Sequence, residues 1–418
     1  MSFQQGLSGL NASSKNLEVI GNNIANANTF GSKTARAEFS DVYAAALNGA
    51  GTNVVGIGTT LTAVAQQFTQ GSITTTNNPV DLAINGSGFF QVTDGVNPVA
   101  YTRNGQFKVN RDGFIVNNAQ KQLMGYAANA LGVIQPGQAV PLQLPTGGVS
   151  PAPTTTMKLE MNLDARLPVT KPAAPPAISF ADASTYNNAT SLTTYDAKGQ
   201  QVALTYYFQK DSADTWNVFA TADGVTVAGS AAAPAAVGQI KFDPATGLSP
   251  TTVPSPLAFT IPANAKTGTL AIPITRVDIS KSTQFGAGYG VTNLTQDGFS
   301  AGQLTAISIE SDGIVMAKYS NGQQRQAGQV EIATFRNPQG LKPAGGNAWS
   351  RSYASGEPIV GVPGSGNLGV LQAGALEDSN VDLTGELVSM ITAQRVYQAN
   401  AQTIKAQDQV MQTLVNLR

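Results

Sequence analysis

The chain runs to 418 residues, with 25 acidic and 24 basic side chains, a formal charge of −1 and a charged fraction of 12%, about half the rough 25% of an ordinary soluble domain. It holds no cysteine and no histidine, which excludes disulfides, thiol nucleophiles, Cys-ligated zinc or iron–sulfur centres, a Ser-His-Asp triad and His-held haem. The near-zero charge argues against nucleic acid as a partner, and the length allows two or three domains with real cores.

The first six residues, Met1-Ser2-Phe3-Gln4-Gln5-Gly6, have neither a basic n-region nor an apolar h-region, so no cleaved secretory signal is expected. Phe3, Leu10, Leu17 and Ile24 then recur every seven residues and Leu7 shares their stripe, while Ser14 and Gly21 interrupt its second row. A seven-residue repeat keeps one seam of a helix facing a partner. At 1.5 Å per residue this helix is ~37 Å long. Its composition is poor for an isolated helix. It contains Gly6, Gly9, Gly21, Asn11, Asn16, Asn22 and Asn23, and each interior Gly costs ~1 kcal/mol relative to Ala. The segment is therefore expected to order only when a partner buries its seam.

From about Thr29 to Asn78 the chain mixes Gly, Thr, Asn and short apolar pieces and reads as extended and partly β. The middle reads as all-β. Alternating runs occur at Gln106–Asn110, Leu304–Ile309 and Val330–Phe335, and a second β block holds Val202–Phe208 and Trp216–Phe219. Asp94-Gly95, Asn104-Gly105, Asp112-Gly113, Asp312-Gly313 and Asn321-Gly322 predict hairpins closed by type I′ turns. Prolines cluster at 136–153 and 168–176, where the missing backbone donor favours linker or edge strand. These clusters place a domain boundary near 151 and its return near 285. Three parts follow. Residues 1–77 plus 371–418 form an inner helical terminal domain with an extended N-terminal linker. Residues 78–150 plus 286–370 form a middle β domain, and 151–285 an inserted outer β domain. No stretch reaches the ~20 apolar residues of a membrane span, since the longest, Val225 to Ile240, is Ala/Gly-rich and contains Pro234.

At the far end Leu383, Met390, Tyr397, Ile404 and Met411 again recur every seven, with Leu387, Ala401 and Val415 alongside. This helix is ~54 Å long. Acids at its start (Glu377, Asp378, Asp382, Glu386) and Lys405 and Arg418 toward its end suit the helix dipole. The fold class expected is mainly β with α-helical termini. The terminal helices pair as a coiled coil, and nested β domains, barrel- or sandwich-like, are inserted between them. The seams admit two readings: an antiparallel pair within one chain, or burial only between subunits. The candidate assembly residues are Phe3, Leu7, Leu10, Leu17, Ile24, Leu383, Leu387, Met390, Tyr397, Ile404 and Met411. A second stripe, Gln394, Gln398, Gln402, Gln409, Gln412 and Asn416, carries neutral amides with Lys405 the sole charge. A solvated helix face ordinarily alternates Glu and Lys, so this stripe is a candidate lining for a wet lumen.

Catalytic and cofactor motifs are weak. Gly364-Ser365-Gly366-Asn367-Leu368-Gly369 matches a dinucleotide fingerprint, but no helix pattern follows at once and the match reads as a structural turn. Asp81, Asp112, Asp278, Asp312 and Glu331 offer carboxylates without the spacing of a glycosidase pair. No catalytic residue, metal site or cofactor is expected.

Val19-Ile20-Gly21-Asn22-Asn23-Ile24-Ala25-Asn26-Ala27-Asn28-Thr29 resembles the N-terminal signature of the bacterial flagellar rod and hook axial proteins. The runs Gly374–Leu383 and Ala393–Lys405 look like the matching C-terminal end, and Tyr101-Thr102-Arg103-Asn104-Gly105-Gln106-Phe107 is similar to a β-domain motif of that family. One departure is that Phe30 precedes Gly31, where the family usually places Gly before the aromatic. The resemblance, with the long inserted block, implies a non-enzymatic structural subunit of the hook. Such subunits self-assemble into a curved helical tube that works as a universal joint between motor and filament. It implies export through the flagellar type III apparatus without signal cleavage and a place outside the cell, in the hook and basal body. It also implies, as partners, copies of the same chain, the distal rod protein, the hook cap protein and the hook–filament junction proteins. The alternatives are a distal rod or other axial protein of the same family, a secreted β-rich adhesin or carbohydrate-binding module, and a carboxylate-only hydrolase.

Overall fold

The two heptad-patterned ends fold as helices, α1 (Ser2–Ala25) and α2 (Leu383–Asn416), and the described residues between them form β structure, turns and two short 3-10 segments. The computed structural model describes all residues except 1, 43–55, 130, 131, 146, 173–175, 249, 417 and 418, and leaves the side chains of 2 and 414–416 undescribed. The chain divides into two compact units. The first is Met1–Thr146, Ala306–Lys318 and Gln324–Arg418; the second is Gly147–Thr305 with Tyr319–Gln323.

In the first unit α1 and α2 run antiparallel. Gly6 lies against Ile404, Gly9 against Asn400, and Asn23 bonds Glu386 at the other end. Asp382 starts α2 by accepting the Thr384 N–H on its side chain. The 29–78 segment contributes an antiparallel ribbon of β1 (Ala35–Val42) and β2 (Gly58–Gln66). Gln5 and Ser8 of α1 hydrogen-bond it at Gly56 and Thr59. Beyond the ribbon, Ile73–Thr75 pairs with Ala375–Glu377 and Leu82–Asn85 with Val370–Ala373, so the outgoing chain lies beside the incoming one. Phe89–Thr93 is flanked by Ala100–Thr102 and Gln122–Ala127 in an antiparallel sheet. Leu82, Ile84, Phe90, Phe107, Ile115, Leu123, Val330 and Ile332 fill the core. A second cluster is aromatic: Phe89 and Trp349 meet edge to face, as do Tyr101 and Phe335.

In the second unit two sheets enclose one core, with a small ribbon of Gly229–Ser230 and Ala233–Pro234 besides. One sheet orders Leu257–Ile261, Ile272–Asp278, Thr156–Asn162 and Gly290–Gln296. The other orders Asn188–Tyr195, Gln201–Ser212, Thr215–Ala222, Gly238–Lys241 and Thr251–Val253. Alternate residues Met157, Leu159 and Met161 of the first and Val202, Leu204, Tyr206 and Phe208 of the second are buried together with Trp216. This period of two is the mark of strands with one covered face. The sheets are open, so of the two architectures expected the sandwich applies and the closed barrel does not.

The turn chemistry departs from the type I′ expectation. Gly113, Gly313 and Gly322 have φ between 81 and 86°, but Asp112, Asp312 and Asn321 are not among the residues with positive φ. In the loop at Asp312, Gly313 N–H donates to Glu310 and Glu310 N–H to Ile314, while the Asp312 carboxylate accepts the Ile314 N–H. This is a type I turn followed by a left-handed Gly, the three-residue alternative for the same Asp-Gly pair. The glycine-rich run 364–369 is likewise a turn: Gly364 donates to Gly369, and the strand Val370–Ala373 follows directly.

Candidate functional site: the helix pair and its polar anchor

Helix α1 owes its place to what its weak composition permits. A Cβ on Gly6 would lie 3.0 Å from Cγ1 of Ile404, and one on Gly9 2.9 Å from the Asn400 amide. These two glycines, which look from sequence like simple helix weakeners, let α2 approach closely. Ile20 is buried, Leu10, Leu17 and Ile24 are half-buried, and Met390 and Ile404 face them half-buried from α2. Part of the predicted seam is thus covered inside one chain, which corrects the reading that it is buried only between subunits.

The rest of the apolar set is open. Phe3 is 52% exposed, Leu7 44%, Leu383 44%, Leu387 41%, Tyr397 37% and Met411 60%. Val388, Ile391, Val396 and Val410, absent from the heptad rows, are also exposed. Their signal was present in the sequence as apolar residues between the heptad positions. The amide stripe Gln394, Gln398, Gln402, Gln409 and Gln412 is exposed, and the side chain of Asn416 lies outside the described residues. Exposed apolar residues thus recur along α2 from Leu383 to Met411.

Where both ends of the chain join the β body, charges are buried. Glu377, read from sequence as part of an acidic helix start, instead ends a strand with its side chain fully buried. Lys33 Nζ lies 2.6 Å from Oε1 of Glu377 and Arg103 Nη1 3.0 Å from Oε2. Gly71 N–H donates to the same carboxylate. Lys33 also donates to the Thr69 carbonyl, and Arg103 to the Gly86 carbonyl, its guanidinium 5.4 Å from the Phe89 ring centre. Burial pushes the Lys33 ammonium below its ordinary value, and the Glu377 charge offsets part of that shift. Neutral clasps surround the triad. Gly31, with φ 69°, donates its N–H to the Glu377 carbonyl. Thr34 N–H donates to the Asn380 side chain, whose amide returns to Gln67. Asn23 exchanges two hydrogen bonds with Ala35 and donates to Glu386.

Arg103 and Glu377 belong to stretches that carry the family resemblance and Lys33 lies four residues past a third, Val19–Thr29, and the fold brings all three residues into one contact. Sequence reasoning missed this cluster because its members are 274 and 344 residues apart. At the local departure Phe30-Gly31, the left-handed residue is the one bonded to Glu377.

The candidate carboxylates are accounted for locally. Asp81 accepts from Thr76 and Asn78, Asp278 from Ser280, and Glu331 from Gln91 and Tyr126. Asp112 and Asp312 sit in turns. No group of three potential metal ligands occurs among the described residues, and no described helix is long and apolar enough to cross a membrane.

Four family models match the chain: "Flagella basal body rod protein" over 3–33, "Flagellar hook protein FlgE/F/G D1 domain" over 83–155, "Flagellar basal body protein FlaE D2 domain" over 162–299 and "Flagellar basal body rod FlgEFG protein C-terminal" over 372–417. The flagellar hook protein FlgE of Salmonella typhimurium is 40% identical over 420 residues, covering all of both chains. That of Escherichia coli is 38% identical over 422 residues, again covering all of both. That of Borreliella burgdorferi is 31% identical over 450 residues, covering all of this chain and 99% of the relative. Among solved structures, the Helicobacter pylori flagellar hook protein FlgE2 superposes with a TM-score of 0.54 at 14% identity, covering 73% of this chain and all of that one, a likeness of fold.

Proposed function

The chain belongs to the flagellar hook protein family and is a structural subunit of the flagellar hook, not an enzyme, and from that premise we propose how its parts divide the work. Its copies polymerise into a curved tube outside the cell that passes motor torque to the filament as a universal joint. Phe3, Leu7, Leu10, Leu17, Ile24, Leu383, Leu387, Met390, Tyr397, Ile404 and Met411 make the inner assembly surface, partly within each helix pair and partly between copies. Gln394, Gln398, Gln402, Gln409, Gln412 and Asn416 line the channel, where neutral amides do not grip a passing chain. Residues 1–77 plus 371–418 form the inner layer, 78–150 plus 286–370 the middle layer and 151–285 the outer layer, except that Gly290–Gln296 completes a sheet of the outer layer. The charge-poor outer surfaces slide past one another as the tube bends, since few directional pairs must break. Export runs through the flagellar type III apparatus, assembly proceeds beneath a hook cap protein, and the tube joins the distal rod protein at one end and the hook–filament junction proteins at the other.

The observation that carries this reading is the exposed apolar row on helices that are already paired. It predicts that a chain stripped of its first 30 and last 40 residues keeps a folded outer unit yet yields no tubes in negative stain. Tubes from the stripped chain would refute it. Cells lacking the chain should retain complete rods and lose hooks.

A further inference from the structure

Two features of α2 lie on opposite flanks. On one flank Leu383, Leu387 and Ile391 follow at four-residue steps, all exposed. The other flank borders a cleft of about 340 Å3 lined by Ser13 and Asn16 of α1 and Ser389, Thr392, Ala393 and Val396 of α2. At roughly 100° per residue, Leu387 and Val396 point about 180° apart around the helix, and so do Leu383 and Thr392.

The apolar row is short. Past Ile391 the same flank continues as Gln394, Gln398 and Gln402, exposed and polar. Water suffices to cover those amides but not the first three turns. The cleft is the converse: small side chains, several of them hydroxyl-bearing, leave a space in the groove between the two helices. A single molecule has no means of putting its own row into its own cleft, because the two face away from each other.

Resting on the hook-subunit reading, we infer that the partner of this row is the cleft of a second copy. Leu383, Leu387 and Ile391 of one subunit insert beside Ser389, Thr392 and Val396 of the next. Such a contact joins two different surfaces, leaves one of each free at the ends, and so propagates instead of closing on a dimer. Small residues opposite large ones give the interlocking that helix packing favours. The pairing also sets the direction in which subunits are added around the tube, since row meets cleft in one sense.

The absence of cysteine makes the test clean. Pairs combining Leu383→Cys, Leu387→Cys or Ile391→Cys with Thr392→Cys or Val396→Cys are introduced into the full chain, and isolated hooks are oxidised. At least one pair should give a ladder of dimers, trimers and higher species on a denaturing gel, while each single-cysteine variant stops at dimers. Intact hooks without a ladder from any pair, or with dimers alone from every pair, overturn the proposal. Where cysteine variants do not assemble, Ser389→Leu fills the cleft from an exposed position of α2. It should lower the fraction of chain recovered in polymer by about tenfold, the equivalent of roughly 1.4 kcal/mol per contact, with helix content unchanged. Undiminished polymer refutes the pairing. Failure of the unaltered chain to build hooks would instead strike at the hook-subunit reading.

Discussion

Replacing Glu377 by Gln keeps the side chain's size and removes the charge that holds Lys33 and Arg103. Arg103 retains its bond to the Gly86 carbonyl and Lys33 its bond to the Thr69 carbonyl, but two cations stay buried without a counter-charge. Breaking a buried pair in this way costs about 3–5 kcal/mol. Lys33→Met should cost less, about 1–3 kcal/mol, because Glu377 keeps Arg103 and the Gly71 N–H and a poorly solvated ammonium is removed. The two tryptophans lie one in each unit, Trp349 in the first and Trp216 in the second. Labelled with 5-fluorotryptophan, they give one fluorine resonance per unit during urea unfolding. With a slope of about 2 kcal/mol per molar urea, Glu377→Gln should lower the Trp349 midpoint by roughly 1.5–2.5 M and leave Trp216 in place. A Trp349 shift below about 0.5 M would equate the triad with an ordinary exposed ion pair and refute the argument. So would Lys33→Met proving the more damaging change.

Other consequences are open to measurement. Gly21 has nothing within 4 Å of an added Cβ, so Gly21→Ala should raise helix content in the unassembled chain and stabilise it by up to about 1 kcal/mol. Gly6→Val should lower helix content despite removing a glycine, because Ile404 occupies that space; circular dichroism separates the two. Leu17→Asp and Ile404→Asp should leave both fluorine signals folded and abolish polymer in pelleting assays. With neither His nor Cys, stability should be level between about pH 6 and 8. Tyr126 is pushed up to about 12 by burial and by its bond to Glu331. The folded state thus holds a proton that the unfolded state releases from about pH 10, and stability should fall between pH 10 and 12. Tyr126→Phe should make that fall shallower in thermal melts.

Much of this architecture could be read along the chain because its signals are local. Leu383, Met390 and Ile404 mark a helix by spacing, and Val202, Leu204, Tyr206 and Phe208 mark a strand by alternation. What failed was whatever depended on a distant neighbour. Gly6 and Gly9 look like flaws until Ile404 and Asn400 arrive from the other end. Asp312-Gly313 announces a turn, but its left-handed residue count depends on how the flanking strands twist. Arg103 and Glu377 sit in recognisable stretches and Lys33 just past one, yet nothing about each separately says that both cations share the Glu377 carboxylate.

That carboxylate has a bearing on the order in which the molecule can fold. The second unit is nearly continuous in sequence, whereas the first needs segments from both ends and a bond between residues 344 positions apart. A chain emerging N-terminus first can finish the second unit while residues 324–418 of the first are still to come. Lys33 and Arg103 must then wait for almost the last fifty residues before they meet their counter-ion. Closure over so long a separation is slow. The first unit thus finishes after the second, and the pairing of α1 with α2 is among its last steps.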